Sequence, residues 1–154
     1  MLLNLSIAVG AAPTAELSGI GRFDVTVGDL TPEARNCGLS ETGLIGLVDS
    51  CLDAAGLPAH DTAAAEFISL RVAVMQVFAG PRLPTGYAYR VDFDFCQPAS
   101  LLNHPLTLGF VTSWHDGCLG TTGNSPARLR QAIVRTITNY TGRFIADFQA
   151  ANAP

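Results

Sequence analysis

The sequence predicts an α+β fold: a single-domain two-layer sandwich in which two helices cover one face of a four-stranded mixed sheet. Three observations carry this. Apolar–polar alternation marks the strands, apolar residues recur at i, i+3 and i+4 in two longer segments, and the elements follow the order β-α-β-β-β-α.

The first strand is Gly21–Leu30, where Phe23, Val25 and Val27 alternate with Asp24, Thr26 and Gly28 until Thr31-Pro32 ends the run. Residues 33–40 read as a connecting loop. Ser40 is a good N-cap with Glu41 at the positive end of the helix dipole, and Leu44, Leu47, Val48, Cys51, Leu52 and Ala55 form one buried stripe. Gly56 and Pro58 stop that helix. Phe67–Phe78 is the second strand and Ala79–Gly86 a turn. Tyr87–Phe95 is the cleanest strand: Tyr87, Tyr89, Val91, Phe93 and Phe95 share one face, and Ala88, Arg90, Asp92 and Asp94 the other. One side of the sheet is therefore covered, and the other faces water or a partner.

Residues 97–105 read as a loop, Leu106–Trp114 as the last strand, and Gly117–Ser125 as a glycine-rich loop. Ser125 as N-cap and Pro126 at the first helical position open the longest helix, whose apolar face is Leu129, Ile133, Ile137, Tyr140, Phe144 and Phe148. Residues 150–154 are expected to fray. A right-handed crossover makes the first two strands parallel. Residues 16–154 read as one domain without internal repeats.

Composition narrows the function classes. A net charge of −4 and the absence of any basic run give no electrostatic footprint for nucleic acid. All nine basic residues are Arg, which removes lysine Schiff-base and phosphate-loop chemistry. No stretch is long and apolar enough for a transmembrane helix. Residues 1–15 are apolar, uncharged and end in small residues; they read as the remnant of a signal peptide with Val9-Gly-Ala11 as a small-x-small site, or as an N-terminal edge strand in which Leu3, Leu5, Ile7 and Val9 alternate. The export reading makes the protein periplasmic or secreted.

That compartment permits disulfides. The four cysteines contain no C-x-x-C pair, so neither a redox motif nor a zinc knuckle is present. The strand order places Cys37 and Cys118 at one end of the sheet and Cys51 and Cys96 at the other. The pairing expected is 37–118 with 51–96, each bridge worth up to about 4 kcal/mol in the chain-entropy account.

The candidate site is the stretch from Trp114 to Arg130. Trp114, His115, Asp116 and Cys118 crowd rare residue types together, and a hydrolase built on His115, Asp116 and Cys118 is one reading. Neighbouring strand residues point to opposite faces, however, so adjacency in sequence argues against a catalytic trio. The histidines have no metal-ligand spacing, so neither metal nor cofactor is expected. Arg128 and Arg130 occupy the first turn of a helix, where cations are unfavourable and an acidic group is wanted. Trp114, His115, Asp116, Arg128 and Arg130 are accordingly expected to bind a partner, together with the charged strand face of Arg71, Arg90, Asp92 and Asp94. The element order resembles that of small α+β domains in periplasmic accessory and assembly proteins. The reading is a non-enzymatic exported accessory protein that contacts a protein or envelope component, or else a structural subunit joined through an open sheet edge.

Overall fold

A computed structural model of the chain describes residues 17–57, 63–101 and 104–153; the expectations for residues 1–15 lie outside the described residues. The elements are β1 (Asp24–Val27), α1 (Pro32–Asn36), α2 (Glu41–Ala54), β2 (Phe67–Phe78), β3 (Pro84–Leu101), β4 (His104–Gly123) and α3 (Pro126–Ala151). The four strands form one mixed sheet in the order β1-β2-β3-β4, with β1 and β2 parallel and the other two pairs antiparallel. The predicted fold class and strand directions hold.

Strand parity decides the layers. Ile68, Leu70 and Val72 of β2 lie opposite Phe95, Phe93 and Val91 of β3, and this face is buried under the helices. α3 contributes Leu129, Ile133, Ile137, Tyr140, Phe144 and Phe148, the stripe the sequence predicts. α2 contributes Leu44, Val48 and Leu52. Ser40 Oγ accepts from the Gly43 N–H at 3.1 Å. At the other end Gly56 takes φ +73°, while its N–H and that of Leu57 return to Asp53 and Leu52, satisfying two carbonyls that the helix leaves open.

Several boundaries differ from expectation. Residues 33–40 are not all loop, because Pro32 nucleates the single turn of α1. β3 and β4 run through the expected loops at 97–105 and 117–123 as one long hairpin. Pro98 is tolerated because β2 ends its pairing at Cys96, which leaves β3 an edge strand on that side. The glycines of β4 have a packing reason. A Cβ at Gly120 would overlap the Tyr89 ring, and one at Gly117 would come within 3.2 Å of the His115 ring. The missing side chains let two aromatic rings lie flat on the strand. The C-terminus is not frayed up to Asn152, whose side-chain amide donates to the Leu17 carbonyl and accepts from the Gly19 N–H.

Gly86 is the tightest position in the hairpin, since a Cβ there would overlap the Thr122 backbone carbonyl. Gly86→Ala is expected to cost about 1–3 kcal/mol, because backbone and not a flexible side chain must yield. A lower urea midpoint at unchanged slope checks it.

The disulfides are corrected: all four cysteines are free. β4 continues five residues beyond Cys118, which places that residue mid-strand opposite Val91 with its thiol at Tyr140. Cys37 instead lies beside Arg130 and Val134. Arg130 and Tyr140 are ten residues apart on α3, about 15 Å along its axis, too far for one bridge. Cys51 is on α2, whereas Cys96 shares the opposite side of the sheet with Asp94 and Arg71. Burial pushes the Cys37 and Cys96 thiols above their ordinary pKa. A thiol reagent should therefore titrate four groups in denatured protein. In native protein the buried Cys37 and Cys96 should lag, their rates rising only at more alkaline pH than a free thiol requires.

Candidate functional site

The side of the sheet away from the helices carries the polar chemistry. Asp92 and Asp94 alternate with Val91, Phe93 and Phe95, so the same pleat that buries the aromatics turns both carboxylates outward. They are nonetheless 7% and 6% exposed, because basic side chains from three strands lie over them. Arg71 of β2 donates to Asp94 Oδ2 at 2.7 Å, and His115 Nδ1 meets Asp94 Oδ1 at 2.6 Å. Arg90 Nε donates to Asp92, 2.8 Å from Oδ2. Both guanidinium groups and the imidazole remain more than half exposed. The result is a set of sunken anions clamped by outer cations, bordering a shallow depression of about 320 Å³ lined by Arg90, Asp92, His115, Gly117, Cys118 and Leu119.

Apolar side chains flank this centre on the same face. Met75 and Leu119 are exposed at one end (64% and 79%), and Phe110 at the other (61%), its ring 5.0 Å from that of Phe67.

The structure separates the residues that crowd together in sequence. Trp114 lies opposite Phe95 on the helix side, packs on Phe93 and Phe144, and donates its indole N–H to Asp147 at 2.8 Å. Asp116 also faces α3, where Arg143 holds it at 2.8 Å. Cys118 meets Tyr140 on that side, whereas His115 stands on the open face with Asp94. His115, Asp116 and Cys118 therefore do not converge.

Arg128 and Arg130 are exposed at the start of α3, whose first turn holds no acid. Asp116 is committed to Arg143, and neither arginine forms an ion pair among the described residues. Arg130 borders an open depression of about 530 Å³ with Cys37, Ala127, Gln131 and Val134.

The His115–Asp94 contact is what reading the sequence missed. Its signal is parity: if the strand is carried past Trp114, His115 falls on the Asp94 side and Asp116 on the core side.

Tyr140 adds a pH effect on the core side. Burial, then its hydrogen bond with the Cys118 thiol, then the Asp116 carboxylate hold its phenol well above the ordinary range, opposed by Arg143. The folded state thus keeps a proton that the unfolded chain releases near pH 10, so this contribution is complete below about pH 10 and is lost as pH rises above it. Urea titrations at successive alkaline pH values should show falling stability, with a flatter fall in Tyr140→Phe.

No protein-family model matches the chain, and no curated protein matches its sequence. Among solved structures, the PelC dodecamer from Paraburkholderia phytofirmans is 13% identical with a TM-score of 0.38, the match covering 84% of this chain and 86% of that one. A minor lipoprotein from Acinetobacter baumannii is 8% identical with a TM-score of 0.38, covering 85% of this chain and 92% of that one.

Proposed function

We propose that the chain is a non-enzymatic binding domain of an exported accessory protein, which engages a protein partner through the open face of β2, β3 and β4. The observation that carries this reading is the make-up of that face. Its central charges are already paired with one another, and its ends present exposed Met75, Leu119 and Phe110. A surface whose carboxylates are neutralised in place costs little to desolvate, and exposed apolar groups at both its ends are what a protein partner covers. An acidic chain whose open-face arginines, Arg71 and Arg90, are held by carboxylates does not suit a phosphate backbone. Arg128 and Arg130, exposed without an acidic neighbour at the start of α3, are a second contact for an acidic group on the same partner. Export rests on the uncharged apolar segment 1–15.

Photo-cross-linking in the native cell tests the reading. A photoreactive residue at Met75 or Phe110 should give discrete protein adducts, and one at Asn139, exposed on the outer side of α3, should not. Loss of the adducts from both open-face positions, or the same pattern from Asn139, would overturn it.

A further inference from the structure

The two edges of the sheet are treated differently. On the β1 side the edge is guarded. β1 is four residues long, Gly28 N–H donates to the Leu70 carbonyl just beyond it, and the Thr31 hydroxyl both donates to the Val74 carbonyl and accepts from the Val74 N–H, each at 3.1 Å. The short β1 leaves little edge to pair, and the contacts beyond it occupy the backbone groups of β2 that it does not reach.

β4 has no such guard among the described residues. It is the longest strand described and the outer strand of the sheet, and no other described strand pairs with its far side. Between Leu106 and Ser125 the chain has no Pro, Lys, Arg or Glu. Its two titratable groups besides Cys118 are already engaged, Asp116 inward with Arg143 and His115 with Asp94. Two register shifts interrupt it, one at Ser113, where pairing steps from Trp114 to Thr112 opposite Phe95 and Cys96, and one between Leu108 and His104 opposite Ser100 and Leu101. From Trp114 to Gly123 the strand runs without a break, and Leu119, the most exposed large apolar side chain described, stands near its middle.

We infer that this run pairs edge to edge with the same run of a second copy, antiparallel about a two-fold axis at Leu119, joining two sheets into one. The run is complementary to itself in that register. Leu119 meets Leu119 of the second copy on the open face, Gly117 meets Thr121, His115 meets Gly123, and Asp116 meets Thr122. Each paired residue shares a face with its opposite, as antiparallel pairing requires, and no like charges oppose each other. An unrelated strand would need to match the same spacing of glycines and leucine by chance. A ten-residue strand pair lies below the roughly 1,200 Å² typical of stable complexes, so the dimer dissociates on dilution. This pairing uses the backbone rim of β4 and shares only Leu119 with the open face, leaving Met75 and Phe110 to whatever covers that face.

Sedimentation of the purified full chain over a wide concentration range tests it, alongside hydrogen exchange of the wild type. The mass should rise from one chain to two. The amides of residues 114–123 that point away from β3 should exchange more slowly in the concentrated sample. Leu119→Lys sets like charges opposite one another at the axis and Thr121→Lys adds a further charge on each side of it, so together they should weaken association by about tenfold or more, whereas Met75→Lys on β2 leaves it unchanged. A wild type that stays monomeric, concentration-independent exchange in 114–123, or a dimer indifferent to the two edge lysines would each overturn the inference. A dimer broken by Met75→Lys alone would place the contact on the open face instead.

Discussion

Phe144→Ala is expected to destabilise the protein by about 3–5 kcal/mol, more than any other single truncation of α3. Phe144 is fully buried, and its ring lies 5.3–5.9 Å from those of Phe23, Phe93, Phe95, Trp114 and Phe148. These five rings come from the residue just before β1, from β3 and β4, and from the next turn of α3, so one side chain ties the helix across the sheet. The strand rings are held by the sheet and cannot collapse into the space, which keeps the cavity term near its full value. Against a total stability of about 5–15 kcal/mol, the loss is large enough to populate unfolded protein at moderate temperature. Urea unfolding followed by Trp114 fluorescence measures it. Phe144→Leu, which keeps most of the volume, should cost about 1.5 kcal/mol or less. Equal effects of Ala and Leu would mean that the ring cluster does not anchor α3.

The second large effect comes from stripping Asp94 of its cations. With Arg71→Ala or His115→Ala alone, the carboxylate keeps one partner and each substitution should cost about 1 kcal/mol, because both side chains are more than half exposed. Together they orphan a carboxylate whose side chain is 9% exposed, and the double variant should lose about 3–5 kcal/mol. The excess over the sum, about 1–3 kcal/mol, is the coupling through Asp94. Adding Asp94→Asn to the double variant should recover part of the loss, since a neutral amide tolerates the site better than an unpaired charge. Strict additivity, with no recovery on Asp94→Asn, would show that the three residues do not act as one clamp.

Much of this architecture is legible in the sequence because the signals are local. Alternation placed Phe93 and Phe95 on the core side and Asp92 and Asp94 outside; Ser40, Ser125 and Pro126 marked helix starts; the six apolar positions of α3 are those found buried. What was illegible depended on partners distant in sequence. Gly117 and Gly120 read as loop because the rings that excuse them, His115 along the strand and Tyr89 across it, are invisible until the strand is carried to Gly123. A strand that ends at Trp114 leaves His115 in a junction with Asp116 and Cys118, and sets Cys118 just past a strand end, where a bridge to Cys37 looks natural. Extended to Gly123, the same residues fall alternately on two faces, and both the trio and the bridges dissolve.

The face built around Asp94 should be covered in the cell. Radical footprinting of Met75 and Phe110 tests it most directly, in intact cells and in dilute purified protein, with Leu83 on the β2–β3 turn, 62% exposed, as an internal reference. Strong labelling of Met75 and Phe110 in the purified chain and protection of both in the cell, with Leu83 labelled alike in each, is the expected result. Equal labelling of Met75 and Phe110 in both settings would contradict it.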